Sequence, residues 1–158
     1  MRSRRGRRLA ARLRSWMALT LREKGEFLLV AAMAVLAEIA VKVFSLPRLT
    51  RSLGIALVDK GEAVVPTAQL RPHLDAMTIE NRARMVDRLY RAWPRKNSCL
   101  RRALVLGYRI RAARPVLEIG VAREEGSIRA HAWIEVDGRV VGDDSGDYAP
   151  LRSHKTAG

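Results

Sequence analysis

Residues 129–144 read RAHAWIEVDGRVVGDD. In the first eight of these residues apolar side chains recur at every second position, which predicts a β-strand with two distinct faces. The Asp137-Gly138 pair that follows is a strong hairpin signal, because both residue types tolerate the positive φ of tight turns. A second alternating segment covers residues 116–122, so the C-terminal half is predicted to hold a small antiparallel sheet.

Two amphipathic helices are predicted upstream of this sheet. Between residues 78 and 93 apolar side chains recur at helical spacing, and a proline then ends the pattern. A further helix is predicted to start at Asn97-Ser98, which are good N-cap residues, and to run to about Arg111. The predicted fold class is therefore α+β, with a helical N-terminal part packed on the small antiparallel sheet.

The N-terminal part of the chain has a different composition. Seven arginines fall within the first fourteen residues, where no acid occurs, and an unbroken apolar run follows at residues 27–37. A transmembrane helix needs about 20 apolar residues, so this run predicts a core helix, with contact to a membrane surface as the alternative. Four segments are predicted: a basic tail at 1–24, an apolar helix and linker at 25–75, a core at 76–150 and a loose tail at 151–158.

The overall composition excludes several classes of protein. In a chain of 158 residues, 48% apolar residues indicate one folded domain. A single cysteine excludes an intramolecular disulfide framework, and the histidines never fall at a ligand spacing beside it, so no metal or cofactor is expected. This cysteine usage indicates a cytoplasmic protein, with peripheral membrane association as a further prediction.

The net charge of +14 favours one alternative function, a basic module that binds RNA or an anionic membrane. Half of that excess charge comes from the seven N-terminal arginines, which say nothing about the folded part. We therefore expect no specific nucleic acid partner.

Cys99 directly follows the predicted N-cap. At a helix start the unpaired amide N–H groups and the positive end of the dipole favour a thiolate. A lone cysteine is more often a small buried apolar residue, but this position is typical of a nucleophile. Its predicted base is His131, because His73 lies in a connection and His154 lies close to the C-terminal end.

The acid that orients His131 depends on the hairpin turn. A two-residue loop, Asp137-Gly138, places Asp144 opposite His131, whereas a three-residue loop places Asp143 there. Both loops are common in hairpins. In either case the chain order is cysteine, histidine and acid, as in papain-like and transglutaminase-like enzymes.

Three local segments make this pattern more specific: Cys99-Leu-Arg-Arg-Ala-Leu104, Leu117-Glu-Ile-Gly-Val121 and His131-Ala-Trp-Ile-Glu135. They resemble the leader peptidases of lasso-peptide biosynthesis, most closely over residues 93–150. The resemblance implies a transglutaminase-like, papain-like cysteine protease core. It transfers the catalytic roles to Cys99, His131 and Asp143, keeps Asp144 as the alternative acid, and favours the three-residue turn.

The resemblance also implies a substrate and partners. The substrate is the leader peptide of a lasso-peptide precursor, which Cys99 cleaves through an acyl-enzyme. Larger relatives carry a fused leader-binding domain that residues 1–75 do not resemble, so a separate leader-recognition protein is expected, together with the lasso cyclase. A cysteine acyltransferase of the same fold is a second alternative, because an amine can also resolve the acyl-enzyme.

Trp93 is a candidate for the oxyanion hole. Papain-type enzymes place a glutamine six residues before the cysteine, and here that position is Trp93. Its indole N–H can donate a hydrogen bond to an oxyanion, as a transglutaminase-like site allows. Packing in the core is the alternative interpretation for this side chain.

Overall fold

The computed structural model describes residues 20–59, 62–64, 74–93, 99–124, 127–142 and 149–150. Within these ranges it contains four α-helices and a mixed β-sheet, so the predicted α+β class is confirmed. In chain order the elements are α1 (Leu21–Val43), α2 (Leu46–Leu53), β1 (Ala56–Asp59), β2 (Glu62–Val64), α3 (Ala76–Ala92), α4 (Cys99–Arg109), a 3-10 turn (Arg111–Ala113), β3 (Val116–Glu124), β4 (Ser127–Val136), β5 (Arg139–Val141) and β6 (Ala149–Pro150).

Helix α1 is longer than the apolar run that predicted it. Its start is fixed by a capping box, in which Thr20 Oγ1 accepts from the Glu23 N–H at 3.3 Å and Glu23 Oε2 accepts from the Thr20 N–H at 2.8 Å. The helix therefore begins at Leu21, inside the segment 1–24 that was predicted to be a basic tail. Among the residues described, no helix combines the length and apolar character needed to cross a membrane.

The next long helices, α3 and α4, lie close to where periodicity predicts them. Asp75 caps α3 by accepting hydrogen bonds from the Thr78 N–H at 2.7 Å and the Thr78 hydroxyl at 2.8 Å. These bonds hold the pKa of Asp75 below its usual value, because they stabilise the carboxylate. Helix α4 ends at Arg109, two residues before the predicted end, where the 3-10 turn takes over.

The sheet has the order β2-β1-β3-β4-β5, with β6 also paired to β3. Strands β3 and β4 form a long antiparallel pair from Val116↔Glu135 to Glu124↔Ser127. The predicted small antiparallel sheet is present in the β3–β4 and β4–β5 pairs, and β1 extends it by running parallel to β3. The connection between these two strands contains α3 and α4, which is the long crossover that parallel pairing requires.

The helices pack on one face of the sheet. Leu117 and Ile134 lie on that face and are completely or almost completely buried. Gly107 brings α4 close to the sheet, since a Cβ atom there would lie 2.7 Å from Ile55 Cδ1 and 3.1 Å from Ile134 Cδ1. This contact fixes the position of the whole cysteine-bearing helix against β4.

Candidate active site

Cys99 is the first residue of α4, so the predicted placement of the thiol at a helix start is confirmed. Its side chain is half-buried and forms no disulfide. The predicted N-cap residues, Asn97 and Ser98, lie outside the described residues. Residues 103–107 of α4 are buried, whereas Cys99 at the helix start keeps partial contact with solvent.

His131 lies on β4, opposite Gly120 of β3. It shares a face with Trp133, and the two rings stack with their centroids 6.1 Å apart and their planes inclined by 22°. Trp133 is 2% exposed, and its indole N–H donates to Glu135 Oε1 at 3.0 Å. The predicted face of histidine, tryptophan and glutamate is therefore confirmed.

Glu118 is a carboxylate on this same face that was not singled out from the sequence. It is 4% exposed and lies directly opposite Trp133 in the β3–β4 pair. The signal was available, because alternation along β3 puts Glu118 and Gly120 on one side and Leu117 and Ile119 on the other. On this face the pair that contains the buried Glu118 carboxylate is therefore next to the pair that contains His131.

The hairpin turn differs from the one that the family resemblance favoured. Val136 pairs with Arg139, so the loop contains only Asp137 and Gly138, with φ values of 50° and 74°. The three-residue turn was wrong because an Asp-Gly pair accepts positive φ at both positions, which closes the tighter turn. If β5 continued in this register, Asp144 would lie opposite His131, but Gly142 has a φ of 71° and leaves the strand.

Asp143 and Asp144 lie outside the described residues, so the acid of the triad stays a prediction. The residue that precedes them is firmly held. Arg102 Nη2 donates to the Gly142 carbonyl at 3.2 Å, and Arg102 Nε lies 3.6 Å from Asp87 Oδ1 of α3. Arg102 is one turn after Cys99 on α4 and faces the same side. Gly142, the residue before Asp143, is therefore bound to the cysteine-bearing helix.

The Trp93 side chain forms a hydrogen bond with a residue of helix α1. Its indole N–H donates to Glu38 Oε1 at 3.3 Å, and the other carboxylate oxygen of Glu38 lies 2.9 Å from Arg101 Nε. The oxyanion role predicted for Trp93 thus requires its N–H to leave Glu38. Burial and the Glu38 carboxylate together raise the pKa of the adjacent Tyr90, so this phenol stays neutral.

The described contacts place Cys99 and His131 on elements that pack together, α4 and β4, but not on the same side of the strand. Helix α4 packs on the Ala132 and Ile134 side of β4, whereas His131 projects from the other side. The described residues contain no cluster of histidine, cysteine and acidic side chains that could hold a metal ion.

A cavity beside α4 lies away from Cys99. It has a volume of about 850 Å³ and lies between α1 and the C-terminal half of α4, with Leu104, Tyr108 and Arg109 in its wall. This part of the helix is one to three turns beyond the thiol. The cavity is therefore separate from the candidate nucleophile.

The sequence profile of the transglutaminase-like superfamily matches residues 40–154, which is more than half of the chain. The protein belongs to this superfamily, whose members are usually cysteine-dependent enzymes. The match covers Cys99, His131 and both candidate acids. Comparison with curated proteins and with solved structures found no significant match.

Proposed function

We propose that this protein is a cysteine peptidase that removes the leader peptide from a lasso-peptide precursor. The observation that carries the proposal is the contact between Arg102 and the Gly142 carbonyl. It ties Gly142, the residue before Asp143, to the helix that begins with Cys99. The family match and the resemblance of the local motifs to leader peptidases support the same function.

In the proposed reaction the Cys99 thiolate attacks the carbonyl carbon at the junction between leader and core. His131 takes the thiol proton and returns it to the leaving amine as the C–N bond breaks. Water then attacks the thioester, His131 accepts its proton, and the leader is released as a carboxylate while the thiol is restored. Asp143 orients the imidazole, with Asp144 as the alternative acid.

The proposed mechanism requires Cys99 and His131 to come within hydrogen-bond distance when substrate is bound. Catalytic hydrogen bonds are often long in free enzymes and tighten only in the substrate complex. We propose that a separate leader-recognition protein presents the precursor, and that a lasso cyclase receives the freed core. Both partners follow from the family resemblance.

Mass spectrometry of a lasso-peptide precursor incubated with the purified protein tests this function. We expect free leader and core, faster when a leader-binding protein is added, and no product with Cys99→Ala. A peptide amine in the reaction distinguishes the second candidate: a new amide bond between the leader and this amine would identify an acyltransferase, whereas a hydrolase yields mainly the carboxylate. An intact precursor under all conditions would contradict both functions.

A further inference from the structure

The outward side of helix α1 is apolar along its whole length. Six large side chains on this side are each more than half exposed: Leu21, Leu28, Val35, Leu36, Ile39 and Val43. At about 100° per residue they fall within an arc of roughly 100°, and they extend over about 33 Å of helix. We call these six residues the outer stripe. The opposite side of α1 is also apolar, with Val30 and Ala34 fully buried in the core.

A helix that is apolar on all sides is normally buried on all sides. Single exposed apolar residues need no explanation, but a continuous stripe of this length marks a contact surface. Helix α1 does not cover its outer stripe by crossing a bilayer, because none of the described helices is long and apolar enough to do so. The stripe must therefore lie against a surface, parallel to the helix axis.

The basic side chains of α1 lie beside the outer stripe. The helix's basic residues, Arg22, Lys24 and Lys42, project along its two borders, where long side chains can reach towards charged groups beside an apolar surface. Arg22 and Lys42 are exposed.

Each acidic residue of α1 has a partner. Glu23 caps the helix, Glu26 pairs with Arg109 at 3.5 Å, and Glu38 pairs with Arg101 at 2.9 Å. Glu38 also lies beside Val35, Ile39 and Val43 of the outer stripe, where Arg101 compensates its charge. The sequence directly before the helix adds seven arginines in its first fourteen residues and no acid.

We propose that the outer stripe docks on the surface of an anionic lipid membrane, with α1 lying in the plane of the interface. Stable peripheral anchoring needs two signals, such as an apolar surface and a polybasic segment, and here the two are contiguous in the chain. A second copy of the chain fits less well, because two outer stripes would bring their basic borders together. This proposal is independent of the peptidase activity.

Vesicle flotation of the full chain tests the proposal, with vesicles of phosphatidylcholine alone and of phosphatidylcholine mixed with phosphatidylglycerol. We expect the protein to float with the anionic vesicles and to be released progressively by salt. The double variant Leu28→Gln/Leu36→Gln should bind about tenfold more weakly, which corresponds to about 1.4 kcal/mol. Replacing the seven N-terminal arginines by glutamine should remove the preference for anionic lipid.

The matched control is Ile128→Gln, which changes a side chain that is 72% exposed on β4, outside the outer stripe. It should bind vesicles like the wild type. Circular dichroism checks that each variant keeps its fold. Three results would overturn the proposal: no flotation with either vesicle, flotation that the Leu28→Gln/Leu36→Gln variant does not weaken, or concentration-dependent self-association that this variant abolishes.

Discussion

Substituting Gly142 tests whether the end of the hairpin is clamped between α3 and α4. Gly142 has a φ of 71°, which costs an ordinary residue about 1–2 kcal/mol. A Cβ atom there would also lie 3.0 Å from Ala83 Cβ and 3.1 Å from Leu106 Cδ2. Leu106 can rotate, but Ala83 Cβ moves only with its helix, so overpacking adds about 1–3 kcal/mol. We expect Gly142→Ala to lower the free energy of unfolding by about 2–5 kcal/mol.

Gly138→Ala is the matched control for this substitution. Gly138 has a φ of 74°, almost the same as Gly142, but nothing lies within 4 Å of the Cβ position. It should therefore show only the backbone cost of about 1–2 kcal/mol. Urea unfolding of both variants measures the difference, provided that the m-value stays constant. If Gly142→Ala destabilises the protein no more than Gly138→Ala, the clamp described here does not exist.

Three further substitutions test other contacts. Glu38→Gln leaves Arg101 with a neutral partner and should lower the free energy of unfolding in urea by about 2–3 kcal/mol, whereas Glu80→Gln, in an exposed pair, should change it by less than about 1 kcal/mol. The pKa of Asp75 in the folded protein lies below the usual 3.8. Its capping contribution to stability is therefore present above pH 3.8 and is lost as the pH falls through the lower pKa of the folded state. The melting temperatures of the wild type and Asp75→Ala should differ at pH 7 and converge in acid. Arg102→Gln should slow precursor cleavage at saturating substrate while the protein stays folded at the assay temperature, as its melting curve shows. Unchanged cleavage, or a loss of activity explained by unfolding, would contradict a positioning role.

The elements that depend on local periodicity were predicted well. Alternation along residues 116–122 and 129–136 predicted β3 and β4, and helical spacing predicted α3 and α4 within about two residues. Cys99 at a helix start and the shared face of His131 and Trp133 follow from the same two periods, which act over a few neighbouring residues. These parts needed no knowledge of the tertiary structure.

The features that depend on distant residues could not be predicted. The bond from Trp93 to Glu38 joins residues 55 positions apart, and the bond from Arg102 to Gly142 joins residues 40 apart. Periodicity carries no information about such pairs. Strand β1 was missed because it is four residues long and lies in a stretch punctuated by proline and glycine. The hairpin turn was mispredicted because the family spacing outweighed the local preference of Asp137-Gly138.

The central claim is that Cys99 and His131 act as a nucleophile and its base. The rate of alkylation of Cys99 by iodoacetamide, measured from pH 5 to 10 on the wild type and on His131→Ala, tests it most directly. We predict that near pH 7 the wild-type thiol reacts about tenfold faster than the thiol of His131→Ala, because the proposed base accepts the thiol proton as the sulfur attacks. Identical profiles for the two proteins, with the ordinary midpoint of about 8.5 for a free thiol, would contradict the claim.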